Sequence, residues 1–176
     1  MEKIACHKGS AFGTLGENAQ PSQEMFENEC AVRLLELQND KPIWVEDESQ
    51  NIGKRIIPNS FWAQMRQAPV FYVYLPLEKR VEYLTAEYGK FSEEELIASI
   101  EKIRKRLGFQ HAKAAIEFIK SGDLKKACEL SLVYYDKSYD HGVAKRNPST
   151  ISKESFTELT PESIEKNIIA SYINKK

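Results

Sequence analysis

The sequence predicts a helix-rich α/β protein, on three observations. Two short runs, Pro42-Ile43-Trp44-Val45 and Val70 to Leu75, are apolar and rich in β-branched and aromatic residues, as strands are. Each is followed by residues at helical spacing, the order that gives parallel strand pairing. The 176 residues are 41% hydrophobic and 29% charged, enough apolar side chain to bury a core. Two parallel strands leave sheet faces and edges uncovered, so the pattern reads as the back half of an α/β domain.

In chain order, Gly9 to Pro21 is punctuated by glycines and reads as loop. Ser22 is a suitable N-cap for a helix whose stripe is Phe26, Cys30, Leu34 and Leu37, ending near Asn39. The run 42–45 is the first strand, buried, with Trp44 in the core and Glu46, Asp47 and Glu48 at its C-terminal end. Asn51-Ile52-Gly53 is a turn, and Pro58-Asn59-Ser60 opens a short helix through Trp62 and Met65. Val70 to Leu75 is the second strand, stopped by Pro76, and Leu77 to Tyr88 is the next helix, turning Val81 and Leu84 inward.

Ser92 and Glu95 form a capping box for a stripe of Leu96, Ile100, Ile103 and Leu107, which Gly108 ends. His111 to Lys120 and Leu124 to Tyr135 are two further helices around Ser121-Gly122-Asp123. The chain changes character at Asn147-Pro148, which divides it into a domain over 1–146 and a C-terminal extension over 147–176. Thr160-Pro161 opens one helix in that extension, running to about Ile173.

Composition narrows the function classes. The longest uncharged, mostly apolar run, Gln67 to Leu77, has eleven residues, too few to span a bilayer, so no membrane role is expected. No apolar signal segment follows Met1, and three widely spaced cysteines point to reduced thiols and a cytoplasmic protein. Net charge is −1, but residues 1–89 carry −4 and residues 90–176 carry +3. Between Lys102 and Lys126, eight basic residues face two acids, an electrostatic footprint for phosphates or a solvated helical face.

Five runs carry a family resemblance. They are His7-Lys8-Gly9-Ser10-Ala11-Phe12-Gly13; Gln20-Pro21-Ser22 with Phe26-Glu27-Asn28; Ile43-Trp44-Val45-Glu46-Asp47-Glu48-Ser49 with Asn51-Ile52-Gly53; Arg104-Lys105-Arg106-Leu107-Gly108; and Tyr134-Tyr135-Asp136-Lys137-Ser138-Tyr139. In order and spacing they resemble the C-terminal, P-loop NTPase-like domain of the tRNA 2-selenouridine synthases, from about Glu2 to Gly142. Residues 147–176 resemble nothing that can be placed. The resemblance implies the C-terminal half of a P-loop NTPase-like parallel-sheet domain. It also implies a chemistry: replacement of sulfur by selenium at position 2 of a wobble uridine, through a geranylated intermediate. The substrates so implied are tRNA, selenophosphate and geranyl diphosphate, with no cofactor held by this chain.

Two departures qualify it. No Gly-x-x-x-x-Gly-Lys-Ser/Thr occurs, so the backbone nest that wraps phosphates is missing from this sequence. None of the cysteines lies in a rhodanese-like loop: Cys30 and Cys128 fall on predicted helices. The chain is therefore expected to be a truncated or split gene product or an excised fragment, and in the split case a separate chain carrying the rhodanese domain and glycine loop is its expected partner.

Glu46 and Asp47, at a strand's C-terminal end where α/β sheets place ligands, are the candidate catalytic carboxylates. The alternative is that they cap a turn and pair with Lys54, Arg55 or Arg66. His7, Lys8, Ser10 and Phe12, in a glycine-flanked loop, and Arg80, heading a helix after a strand, are candidates for substrate or phosphate binding. Phe12 plugging the core is the alternative for the loop. Arg104, Lys105 and Arg106 with Tyr135 and Lys137 are the candidate tRNA contacts, against plain dipole capping and a buried tyrosine. Cys6-His7 alone falls short of a zinc site, so no metal is assigned.

Overall fold

In a computed structural model, residues 1–37, 41–47, 49–158 and 160–164 are described. They fall into two units, Met1–Ala68 and Pro69–Lys176.

The first unit opens with one helical turn, α1 (Glu2–Ala5), which ends at Cys6 in the left-handed region, φ 47°. The loop to Pro21 follows. Helix α2 (Gln23–Glu36) starts where the sequence places it, with the Ser22 hydroxyl accepting from the Met25 N–H. It stops at Glu36; Asn39 lies outside the described residues. Strands β1 (Asn51–Ile52) and β2 (Arg55–Ile56) form a minimal antiparallel hairpin around Gly53-Lys54, and Gly53 takes φ 61°. A two-residue hairpin loop demands such a conformation, which glycine adopts without strain. Helix α3 (Asn59–Gln67) closes the unit. Ala5, Phe26, Ile52, Ile57 and Met65 form its core, with Cys30, Phe61 and Trp62 packed against it.

The segment 42–45 is the main correction. It is coil, and Ile43, Trp44 and Val45 are 46%, 47% and 40% exposed. A short apolar run becomes a strand only where a second strand takes up its backbone ladder, and among the described residues no strand pairs with this one. Trp44 is therefore not core, and Glu46 and Asp47 do not stand at a strand end. Glu48 lies outside the described residues.

In the second unit, β3 (Val70–Tyr74) forms as its composition predicts, and Leu75-Pro76 lead into α4 (Leu77–Tyr88). Helices α5 (Glu93–Leu107), α6 (Phe109–Lys120) and α7 (Leu124–Ala144) pack together through Leu96, Ile100, Ile103, Leu107, Ala112, Ala115, Ile119, Ala127 and Leu132. The capping box is complete: Glu95 N–H donates to Ser92 Oγ (3.3 Å), and Ser92 N–H to Glu95 Oε2 (2.9 Å). Helix α7 runs nine residues beyond Tyr135.

A short 3₁₀ turn over Pro148–Thr150 then leads to β4 (Ile151–Ser155). This strand pairs in parallel with β3, Val70 opposite Ile151 through Tyr74 opposite Ser155. The parallel pair that the sequence predicts exists, but its second strand is β4 rather than residues 42–45. Beyond it, α8 (Pro161–Ile164) begins at the predicted proline; the expected continuation to Ile173 lies outside the described residues.

Candidate functional site

In the first unit, His7, Lys8, Ser10 and Phe12 come together in one tightly bonded loop. The loop's own backbone bonds run from Lys8 N–H to Gly13 O (3.0 Å) and from Gly13 N–H to Ser10 O (2.9 Å). The Ser10 hydroxyl accepts from the Phe12 N–H (3.2 Å), and the Lys8 ammonium lies 3.7 Å from Glu17. The His7 ring, 8% exposed, is wedged between two glycines. A Cβ on Gly13 would lie 2.7 Å from its Nδ1 and Cε1, and one on Gly53 would lie 2.6 Å from its Cδ2. The imidazole fills the space beside Gly13, and at Gly53 it shares that space with the Gln20 amide, whose Oε1 is the atom nearest to an added Cβ.

Two glutamines to which the sequence pattern assigns no role lock this arrangement. Gln20 Nε2 donates to the carbonyls of Ala5 (2.9 Å) and Ile52 (3.0 Å), while its Oε1 accepts from Lys54 N–H (2.8 Å). One amide thus ties α1, the loop and the hairpin. Gln23 does the same for β2, donating to Ile56 O (2.7 Å) and accepting from Ile56 N–H (2.9 Å), as a neighbouring strand would. The only forewarning in the sequence is that Gln20 and Ser22 stand in a run that carries the family resemblance.

Glu46 and Asp47 are both exposed. Glu46 Oε2 lies 3.0 Å from the Met1 amine, and Asp47 Oδ1 lies 3.4 Å from Arg66, whose guanidinium also covers Trp62 at 5.5 Å from the ring centroid. Pairing with Arg66 is one of the alternatives that the sequence offers for Asp47.

In the second unit, Arg80 of α4 reaches Asp136 of α7 through two bonds, Nη1 to Oδ1 at 2.5 Å and Nη2 to Oδ2 at 3.0 Å. That hydrogen bonding raises the Arg80 pKa further above its ordinary value. Beside them the Tyr72 phenol is pushed up, first by burial and then by the charges of Asp140 and Asp136. The Cys128 thiol is pushed up to about 11, mainly by burial.

The basic candidates gather where α5 meets α6. Arg104, Lys105 and Arg106 are exposed on the last turn of α5. Arg104 pairs with Glu101 (3.1 Å) and lies 5.2 Å from the Phe109 ring centroid. Arg106 Nη1 donates to the Tyr134 hydroxyl (3.3 Å). Tyr135 is half-buried with its ring centroid 5.0 Å from that of Tyr134, and Lys137 is exposed one turn further along α7. Helical spacing places Tyr134, Lys137 and His141 along one face of α7, with Asp136 turned away from Tyr134 and Asp140 beside Lys137. Asp136, which holds Arg80, thus points away from the tyrosine that Arg106 reaches.

Among the described residues, no group of three His, Cys, Asp or Glu side chains is placed to hold a metal ion, and no helix is long and apolar enough to cross a membrane. The chain is a helix-rich α/β protein with a small parallel sheet and a basic helix junction. A model of the family described as the tRNA 2-selenouridine synthase AAA domain matches residues 1–167. The chain belongs to that family. The match takes in β4, beyond Gly142, where the resemblance visible in the sequence ends.

A tRNA 2-selenouridine synthase of Alcanivorax borkumensis is 30% identical over 91% of this chain and 52% of its own length. One of Shewanella woodyi is 34% identical over 90% of this chain and 51% of its own. One of Nitrosomonas europaea is 42% identical over 50% of this chain and 23% of its own. The chain thus spans at most about half the length of these relatives. No solved structure matches it.

Proposed function

We propose that this chain contributes tRNA and substrate contacts to the conversion of 2-thiouridine to 2-selenouridine at a tRNA wobble position, through a geranylated intermediate, in the cytoplasm. The observation that carries this reading is the family match over residues 1–167, which includes the basic junction. Arg104, Lys105 and Arg106 present cations outward on the last turn of α5, where tRNA phosphates are the natural partner. Tyr135 and Lys137 lie on the helix that Arg106 touches. His7, Lys8, Ser10 and Phe12 are proposed to present selenophosphate or the geranyl diphosphate to the uridine from a loop already fixed by its own bonds. Glu46 and Asp47 are proposed to act on the substrate centre, on the ground that their run carries the family resemblance and not on a strand-end position. Arg80, pinned by Asp136, fits a positioning role better than a free phosphate ligand. A separate chain is proposed to supply the rhodanese cysteine and glycine loop.

A non-catalytic tRNA-binding module is the second reading, and the run of eight basic residues between Lys102 and Lys126 favours it, because docking tRNA phosphates needs cations alone.

The test is a filter-binding titration of tRNA across salt concentrations with the parent chain and the triple variant Arg104→Ala/Lys105→Ala/Arg106→Ala. The variant is expected to bind all tRNAs more weakly, with a salt slope flatter by roughly 0.7–0.9 for each phosphate no longer neutralised. Equal binding at every salt concentration would reduce the cluster to a solvated helix end.

A further inference from the structure

An exposed aromatic ring stands in the middle of the basic junction. Phe109, the first residue of α6, is 61% exposed, although phenylalanine has no polar atom to keep it in water. A single exposed apolar residue needs no explanation by itself. Two features mark the surroundings of this one. From Lys102 through Ile116 the sequence has no acidic residue, while Lys102, Arg104, Lys105, Arg106 and Lys113 are all basic. The Arg104 guanidinium lies over the ring at 5.2 Å from its centroid. Gly108, at φ 95°, makes the bend that ends α5 and starts α6, so Phe109 stands at the corner with the α5 cations directly before it. Tyr83 on α4 is as exposed, at 68%, and follows Glu82, so it is a comparison ring outside the acid-free basic run.

Cations alone bind a phosphate chain without regard to its bases. An exposed ring next to them adds a flat apolar face on which an unpaired base can stack. We propose that Phe109 is a base-stacking residue that, with Arg104 beside it, receives an unpaired base of the bound RNA. This inference rests on the tRNA-binding reading and specifies which part of the tRNA the junction meets: a single-stranded loop rather than a helical stem. A duplex keeps its bases stacked on one another and offers no free base face to the ring.

Stacking and phosphate contact separate by their salt dependence, because only the second releases counterions. Binding is measured for a tRNA transcript, a single-stranded oligoribonucleotide and a fully paired RNA duplex, each across salt. Phe109→Ala is expected to weaken binding of the transcript and the single strand by about tenfold at unchanged salt slope, and to leave duplex binding unchanged. Phe109→Trp should restore the affinity, Phe109→Leu should not, and Tyr83→Ala should match the parent. A base analogue whose fluorescence is quenched by stacking, placed in the single strand, should be quenched by the parent and not by Phe109→Ala.

If Phe109→Ala binds the transcript as tightly as the parent while the triple basic variant still flattens the slope, stacking is wrong and the tRNA reading stands. An equal loss on the duplex, or rescue by leucine, also overturns stacking. If the parent chain binds no RNA, both fall together.

Discussion

Arg80 and Asp136 are joined by two nearly parallel bonds between the first turn of α4 and the middle of α7, fifty-six positions apart in sequence. The fork of a guanidinium matches a carboxylate in this way, which fixes orientation as well as distance. The pair links the helix that follows β3 to the longest helix of the unit, next to Tyr72 of β3.

Asp136→Asn should therefore have two effects. Because both partners are partly exposed, the loss of stability is modest, about 1 kcal/mol, or a fall of a few degrees in Tm. The second effect is on Tyr72, whose phenol is held up partly by Asp136 and held down by Arg80. Removing the carboxylate takes away a negative charge that raises the phenol's pKa and leaves Arg80 nearby. Tyr72 should then ionise at lower pH, visible in the ultraviolet phenolate band against a Tyr72→Phe control. Unchanged melting together with an unchanged tyrosine titration would show that the pair does not couple α7 to the sheet.

The His7 wedge gives a prediction with an internal control. Gly53 and Gly122 both have positive φ, 61° and 79°, so an added Cβ strains the backbone at either site. At Gly122 nothing lies within 4 Å of that Cβ, whereas at Gly53 it meets the His7 ring and the Gln20 amide. Gly122→Ala should cost about 1 kcal/mol, and Gly53→Ala about 2–4 kcal/mol because the buried ring must also move. Chemical denaturation of both variants checks this. Equal losses would mean the imidazole is loosely held and the loop is not a rigid cradle.

These residues mark where the sequence was readable. Local chemistry was: the Ser92–Glu95 box, the Ser22 cap, the Gly53 turn and the stripe from Leu96 to Leu107 each depend on residues within a few positions. Long-range choices were not. β4 has Ile151 as its one strongly apolar residue, so its partnership with β3, about eighty residues away, leaves little pattern. The run 42–45 has the pattern without a partner strand among the described residues. The last turns of α7, through Asp136-Lys137-Ser138, Asp140-His141 and Gly142, have too few apolar residues to show a stripe, and packing against α4 and polar pairing carry them instead. For the site, the basic helix end was legible as charge. The roles of Gln20, Gln23 and Phe109 depend on geometry that one sequence does not contain.

Cys128 should report on folding through pH. Its thiol moves from an ordinary value of 9.0 to about 11 in the folded chain, mainly by burial. The folded state therefore binds the proton more tightly than the unfolded one. The resulting stability is fully present below pH 9 and is lost as pH rises from about 9 to about 11. A rise of that size corresponds to about 2.7 kcal/mol, and partial exposure reduces this to about 1–2 kcal/mol. Cys128→Ala should show a flatter loss of stability over that range, and alkylation of Cys128 in a Cys6→Ser/Cys30→Ser background should accelerate with a midpoint near 11. A midpoint near 9 would place the thiol in water.

The carboxylates Glu46 and Asp47 can be tested without disturbing the fold. Asp47 and Arg66 are about a third exposed, so a double-mutant cycle with Asp47→Asn and Arg66→Gln should give a coupling below about 1 kcal/mol. Glu46→Gln and Asp47→Asn should thus fold like the parent and bind tRNA with the same affinity and salt slope, because neither residue lies on the basic junction. Their effect should fall on turnover, measured as selenouridine formed when a chain carrying the rhodanese domain and glycine loop is supplied in trans. Loss of turnover with intact tRNA binding is the outcome expected of groups that act on the substrate centre. Parent-level turnover in the double amide variant would leave Asp47 as a surface partner of Arg66 and remove both carboxylates from the chemistry.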